Sequence, residues 1–167
     1  KEWPNTTWEH MNDSGYLEKL EEGNVGVLCG GNSGGLVSLD ADSDEFLEDL
    51  LRMNPAFADT TLTVGAKGGN YWLKMSEDGY PPISKLTDFD GLDLGEFRSN
   101  GGYTVVYGTH PSGCDYRIEQ EVPPIPIAFG EIRWPERTVA PWIPNPLDLL
   151  IEKEGEPFQF GSGGACN

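Results

Sequence analysis

The chain has 167 residues, and its 28 acidic and 11 basic residues give it a formal net charge of −17. A chain of this length can bury the core of one domain and is too short for two ordinary ones, so we expect residues 1–167 to form a single domain. No apolar run approaches the roughly 18 residues of a membrane-spanning helix, which excludes a transmembrane protein of that kind.

The first half of the chain predicts helices and strands in alternation. Residues 14–22 predict a short helix, because Ser14 can cap it and Gly23 can end it. Residues 25–29 and 36–40 predict two strands that a glycine-rich turn joins as a hairpin. A second helix follows, capped by Ser43 and ended before Pro55, with its apolar residues at helical spacing: Phe46, Leu47, Leu50 and Leu51.

The second half predicts mostly strands. Residues 76–90, polar and containing prolines, predict a surface loop, and residues 146–154 predict a last short helix before a glycine-rich end. Two further hairpins are predicted, one pairing residues 61–64 with 71–75 and the other pairing residues 92–98 with 103–107. Strands outnumber helices, so we expect an α/β (α+β) domain with a mostly antiparallel mixed sheet and flanking helices.

Two carboxylates end the second strand. Asp40 and Asp42 are two residues apart, so in a strand they point to the same face. Such a pair is repulsive unless a cation lies between the two groups, and Mg²⁺ and Mn²⁺ favour oxygen ligands. The alternative is a helix-capping Asp followed by a solvated acidic turn.

A third acidic residue and an arginine lie further along the chain. Glu96 and Arg98 share a strand face, and the planar guanidinium of Arg98 suits phosphate oxygens. Three acids and one arginine make a phosphoryl-transfer site plausible. His110 and Ser112 lie in a following turn, where the imidazole and hydroxyl could contact phosphate or ribose; the alternative for His110 is a surface turn residue.

Several short segments follow one another in a recognisable order: Asn24-Val25-Gly26-Val27, Ser33-Gly34, Leu36-Val37-Ser38-Leu39-Asp40-Ala41-Asp42, Thr61-Leu62-Thr63-Val64, Gly68-Gly69, Glu96-Phe97-Arg98 with Gly101-Gly102-Tyr103, and His110-Pro111-Ser112-Gly113. This order, over residues 24–118, resembles the bifunctional primase-polymerase (Prim-Pol) N-terminal domain of the archaeo-eukaryotic primase superfamily. Lys1 and Trp3 are similar to a Lys-x-x-Trp segment of that family.

The resemblance implies an RRM-like catalytic core that makes or extends primers on a nucleic-acid template. It implies that Asp40, Asp42 and Glu96 are catalytic and bind two Mg²⁺ or Mn²⁺ ions, and that the partners are nucleoside triphosphates and single-stranded or primed DNA. Nucleotide-binding candidates are Lys67, Tyr71, Arg98, His110 and Ser112. A helicase domain in the same parent chain and a cytoplasmic location, in a phage, plasmid or other mobile-element system of a prokaryotic host, are further expectations.

The chain departs from the family at one motif. The family shows Gly-Gly-x-His-x-Tyr where this chain has Gly68-Gly69-Asn70-Tyr71-Trp72-Leu73, so Tyr71 takes the place of the histidine. A phenol donates one hydrogen bond but supplies no positive charge, for which Lys67 or Lys74 could compensate. Strand packing is the alternative role for Tyr71.

Charge and terminal sequence add three expectations. The acidic balance predicts weak non-specific binding to duplex DNA, with the acids clustered around cations or forming a solubility surface while a partner domain supplies a basic groove. The start at Lys1, without an initiator methionine or leader, predicts a fragment of a longer protein. Three cysteines without CxxC spacing indicate a reducing compartment.

Two alternatives to an active polymerase remain at this point. One is a catalytically degenerate module that binds nucleotide or metal, which the Tyr71 departure favours. The other is an acidic extracellular binding module rich in Gly and Trp, which predicts that Asp40, Asp42 and Glu96 lie far apart. Trp134 and Trp142, in a proline-rich stretch, could stack on bases or cover the core.

Overall fold

The computed structural model describes residues 8–21 and 23–146. Lys1, Trp3 and nearly all of the helix predicted over 146–154 lie outside these residues. The helices are α1 (Trp8–Met11), α2 (Ser14–Glu21) and α3 (Asp44–Met53). The strands are β1 (Val25–Leu28), β2 (Leu36–Ala41), β3 (Leu62–Val64), β4 (Gly69–Met75), β5 (Ser84–Thr87), β6 (Asp93–Arg98), β7 (Tyr103–Thr109), β8 (Asp115–Gln120) and β9 (Ile125–Ile127). None of the described helices is long and apolar enough to cross a membrane.

The strands form one curled sheet in the order β1-β7-β8-β3-β4-β2-β6-β5, and β9 pairs with β4 outside that path. The β4–β9 pair is parallel, and the named pairs along the path are antiparallel. The predicted fold class, a mixed α+β domain with a mostly antiparallel sheet, is therefore confirmed. Strands β4, β2 and β6 are adjacent in this order, and β2 and β6 carry Asp40 and Glu96.

Alternation along β2 separates the core from a polar face. Val37 and Leu39 are fully buried in the hydrophobic core, while Ser38 and Asp40 point to the opposite side. Helix α3 covers the core side with Phe46 and Leu50. Its predicted cap is present, since the Ser43 side chain accepts a hydrogen bond from the Phe46 backbone N–H at 3.2 Å.

Of the three predicted hairpins, one is confirmed. Strands β3 and β4 pair as expected. The other two are wrong, because β1 pairs with β7, β2 lies between β4 and β6, and β6 pairs with β2 and β5. A glycine-rich turn permits a hairpin, but strands pair where their apolar faces gain the most burial, and here the partners are distant in sequence.

The loop predicted over residues 76–90 is also partly wrong, since it contains β5. Leu86 of this strand is fully buried, and β5 extends the sheet beside β6. A four-residue strand with a single buried apolar residue gives too little alternation for a sequence pattern to separate it from a polar loop.

The proline-rich segment packs on the core. The rings of Trp134 and Trp142 lie 6.4 and 5.8 Å from that of Phe97, and Phe129 lies 5.3 Å from it. Such edge-to-face and tilted contacts are favourable for aromatic rings. Of the two roles considered for these tryptophans, covering the core is the one their positions match.

Candidate active site

Strands β2 and β6 place two carboxylates side by side. Asp40 lies directly opposite Glu96 in the antiparallel register, and side chains in such positions have Cβ atoms about 4.5–5.5 Å apart. Asp42 continues beside β6, because its backbone N–H donates to the Leu94 carbonyl at 2.9 Å. The side chains of Asp40, Asp42 and Glu96 line one cavity. This proximity is the opposite of what the extracellular-module alternative predicts.

Two glycines allow the chain to approach the end of β2. Gly68 has a φ of 58°, and a Cβ atom there would lie 1.9 Å from the Ala41 carbonyl oxygen. Gly95 has a φ of 148°, and a Cβ atom there would lie 2.0 Å from the Asp40 carbonyl oxygen. Any side chain at either position would therefore push neighbouring strands away from the acidic residues.

Arg98 joins the two central carboxylates. One of its terminal guanidinium nitrogens lies 2.6 Å from Oδ2 of Asp40, and its Nε lies 2.9 Å from Oε2 of Glu96. The side chains of these residues are partly buried, with 24% of Arg98 and 12% of Asp40 exposed. Arg98 thus balances charge at a place where neighbouring acids would otherwise repel one another.

Burial raises the pKa of Asp40 to about 6, partly offset by the Arg98 guanidinium and raised further by the neighbouring charges of Asp42 and Glu96. Desolvation disfavours the charged form of a carboxyl group, which accounts for the direction. A nearby cation would therefore stabilise the charged form of Asp40.

We predict a pH dependence of stability from this shift. The folded-state pKa of Asp40 exceeds its ordinary value, so the folded chain holds this proton more tightly than the unfolded chain does. The resulting contribution to the free energy of unfolding is fully present below about pH 4 and is lost as the pH rises through about 6. Without divalent ions, the free energy of unfolding should fall by up to about 3 kcal/mol more in the wild type than in Asp40→Asn. Urea denaturation at pH values from 4 to 7 measures the free energy of unfolding of both chains. An equal change with pH in the two chains would contradict the prediction.

Asn70 and Ser38 belong to the site and were missed by the sequence reasoning. Asn70 of β4 lies opposite Asp40 on the other side of β2. The Ser38 hydroxyl donates to Oδ1 of Asn70 at 2.8 Å, and a hydrogen bond from Asn70 lowers the pKa of Asp40, against the larger effect of burial. The two residues therefore hold the Asp40 carboxylate in place. The two-residue spacing between Ser38 and Asp40 is the feature of the sequence that could have indicated Ser38. No feature of the neighbouring sequence identifies Asn70.

The site cavity has a volume of about 550 Å³, which is within the usual range for ligand sites. Most of the residues predicted for the site line this cavity. Its lining includes Asp40, Asp42, Glu96, Arg98, Lys67 and His110. Ser112 contributes through His110, because its backbone N–H donates to Nδ1 of the imidazole at 3.0 Å. Tyr116 also lines the cavity, with its ring 5.6 Å from that of His110.

Tyr71, another of the nucleotide-binding candidates, is not among the residues that line this cavity. It is opposite Leu39 in the register and only 3% exposed. Its ring packs 5.2 Å from that of Phe57 in the hydrophobic core. Since neighbouring residues of a strand point to opposite faces, Asn70 faces Asp40 and Tyr71 faces the core. Strand packing, the alternative role considered for Tyr71, matches this position.

The donor set suits a hard divalent cation. Three carboxylates supply the oxygen ligands that Mg²⁺ and Mn²⁺ prefer, and Arg98 shows that two of them already accept a positive charge. Among the described residues, no three acidic, His or Cys side chains are arranged ready for a metal ion. In this arrangement the Arg98 guanidinium contacts both Asp40 and Glu96.

Comparison with known protein families gives a match. A family model described as "Bifunctional DNA primase/polymerase, N-terminal" matches residues 3–128, more than half of the chain. The matched range includes every residue of the site described above. No curated protein matches the chain.

Proposed function

Because the chain belongs to the family of bifunctional DNA primase/polymerase N-terminal domains, we propose that it makes or extends primers on a DNA template, taking nucleotides from nucleoside triphosphates. Membership of the family supports primase or polymerase activity in general terms. The more specific proposal concerns which residues perform the transfer and what they do.

One observation supports the proposal above all. Asp40 and Glu96, 56 positions apart by their numbers, are direct neighbours across two strands and share one guanidinium. A cluster of carboxylates in a cavity beside cationic groups is an arrangement suited to phosphoryl transfer, which relies on positioning and charge stabilisation. We propose Asp40, Asp42 and Glu96 as the catalytic acids.

The same acids are the proposed ligands for Mg²⁺ or Mn²⁺. Divalent ions bound there would neutralise phosphate charge and lower the pKa of a primer 3′-hydroxyl. The chain's own part is to hold three carboxylates within one cavity, to keep Asp40 oriented through Asn70 and Ser38, and to present cationic groups at the same place.

Lys67, Arg98 and His110 are the proposed contacts for the triphosphate. Arg98 offers a planar fork that matches two phosphate oxygens, and Lys67 offers a mobile point charge. For His110, Nδ1 accepts a hydrogen bond from the Ser112 backbone N–H. Nε2 is therefore the ring nitrogen that can donate a hydrogen bond to an anion in the cavity.

The net charge of −17 bears on how DNA is bound. An acidic chain gains little from phosphate contacts, so we propose that it binds the template weakly by itself. A basic surface elsewhere in a longer parent protein, such as a helicase-bearing replication protein of a mobile element, would supply the rest. Cytoplasmic location is part of the same proposal.

Primer extension tests the proposed function. We expect the chain to extend a labelled primer on single-stranded template DNA when nucleoside triphosphates and Mg²⁺ or Mn²⁺ are present, and not in EDTA. Parallel titration of a nucleoside triphosphate measures binding independently of chemistry. Intact nucleotide binding with no product under either metal would establish the degenerate module in place of the polymerase.

A further inference from the structure

The position of Arg98 leads beyond the proposed catalytic role of the acids. Its guanidinium contacts Asp40 and Glu96 at the same time, at 2.6 and 2.9 Å. We infer that Arg98 is a displaceable counterion, which holds these carboxylates until a divalent cation takes them and then binds the triphosphate. The inference rests on the proposed function and adds to it that cation and nucleotide bind cooperatively.

Arg98 and a divalent cation compete for the same carboxylates. Arg98 and a divalent cation are both positive and both require Asp40 and Glu96, which lie in a partly buried site. Like charges that share ligands repel one another, and the repulsion grows where burial lowers the effective dielectric constant. Retaining both ion pairs of Arg98 therefore opposes binding of the cation.

The counterion also has a reason to be present. Asp40, Asp42 and Glu96 line the same cavity as Arg98, and Arg98 contacts two of them. Carboxylates held this close repel one another unless a positive group lies beside them. Arg98 thus stabilises the cation-free chain.

A triphosphate offers the released guanidinium a new partner. Arg98 lines the same cavity as Lys67 and His110, and its fork binds phosphate oxygens as well as it binds carboxylates. A nucleotide that captures Arg98 removes it from the acids, which strengthens cation binding. By linkage, the cation strengthens nucleotide binding by the same factor.

Calorimetric titration with Mg²⁺ and no nucleotide tests the competition. We expect Arg98→Gln to bind Mg²⁺ at least about fivefold more tightly than the wild type, the lower end of typical couplings between sites. Arg117→Gln is the matched control, because it loses an exposed ion pair of the same length, with Nε 2.9 Å from Oε2 of Glu119. It should change the affinity by less than about twofold.

Removing the positive charge of Arg98 near a cation site would by itself raise the affinity for Mg²⁺. A second measurement therefore follows the Arg98 side chain directly. In ¹H–¹⁵N spectra, the Arg98 Nε–H should be protected by its bond to Glu96 in the cation-free chain. Mg²⁺ with a nucleoside triphosphate should shift the signal, because the guanidinium exchanges carboxylate partners for phosphate oxygens. The Arg117 signal should not move.

The outcomes separate this inference from the proposed function. Saturable Mg²⁺ and nucleotide binding with an unchanged Arg98 signal would overturn the displacement and leave the proposed function standing. Nucleotide affinity that is equal with and without Mg²⁺ would overturn the cooperativity. Failure of both the wild type and Arg98→Gln to bind Mg²⁺ would refute the proposed metal site, and the inference with it.

Discussion

Asp40→Asn should abolish primer extension while the chain stays folded. Asparagine has nearly the same shape as aspartate but lacks the negative charge that a divalent cation or Arg98 requires. Residues that merely orient metal ligands typically cost 10- to 100-fold when replaced, so loss of a ligand should exceed about 100-fold. Single-turnover extension assays with Mg²⁺ and with Mn²⁺ measure the loss.

The control for this prediction is Asp93→Asn. Asp93 lies on β6, like Glu96, but its side chain is 54% exposed and pairs with Lys85 on the surface. The Asp93→Asn substitution removes the same charge from the chain at a residue that does not line the site cavity. Primer extension should therefore stay within about twofold of the wild type. Circular dichroism should show both variants folded. Wild-type extension by Asp40→Asn would refute the assignment of Asp40.

Glu96→Gln provides an independent arm of the same test. Glu96 reaches the cavity from β6, whereas Asp40 reaches it from β2. If both carboxylates act on one set of ions, Asp40→Asn and Glu96→Gln should lower primer extension to a similar extent. The double variant should then extend primers no more slowly than either single variant. Additive losses would indicate that the two acids act separately.

Phe97→Ala should cost about 3–5 kcal/mol of the free energy of unfolding. Phe97 is fully buried, and three aromatic rings contact it: Phe129, Trp134 and Trp142. Removing the ring leaves a cavity that rigid aromatic neighbours cannot close. Because Phe97 lies between Glu96 and Arg98 in the chain, a loosened strand should also lower extension. Urea denaturation measures the first effect.

Phe89→Ala is the comparison for the core prediction. Phe89 is 39% exposed and lies outside the core cluster. Its replacement should cost no more than about 1 kcal/mol. If Phe97→Ala costs as little as Phe89→Ala, the segment that contains Trp134 and Trp142 does not pack on the sheet as described.

Local elements of the fold were predictable from the sequence. Helix α3 formed where Ser43 and the apolar spacing predicted it, and β3 paired with β4 across a short turn. Both depend on residues within a few positions of one another, so a single segment contains all the necessary information. The family could be recognised for a similar reason, since short motifs in a set order are a property of the chain itself.

The pairing of distant strands was not predictable in the same way. The turn between β1 and β2 looked like a hairpin turn, yet β1 found β7 as its partner and β2 lies between β4 and β6. Alternation shows which residues of one strand share a face, but not which strand lies beside it. That choice depends on the area each arrangement buries.

The same distinction applies to the candidate site. The sequence by itself determined that Asp40 with Asp42, and Glu96 with Arg98, share a face within their own segments. Only the tertiary structure decided that Arg98 lies between Asp40 and Glu96, that Asn70 supports Asp40, and that Tyr71 faces the core. Within a strand, side-chain direction follows from the period of two, whereas the register between strands is set by packing across the whole sheet.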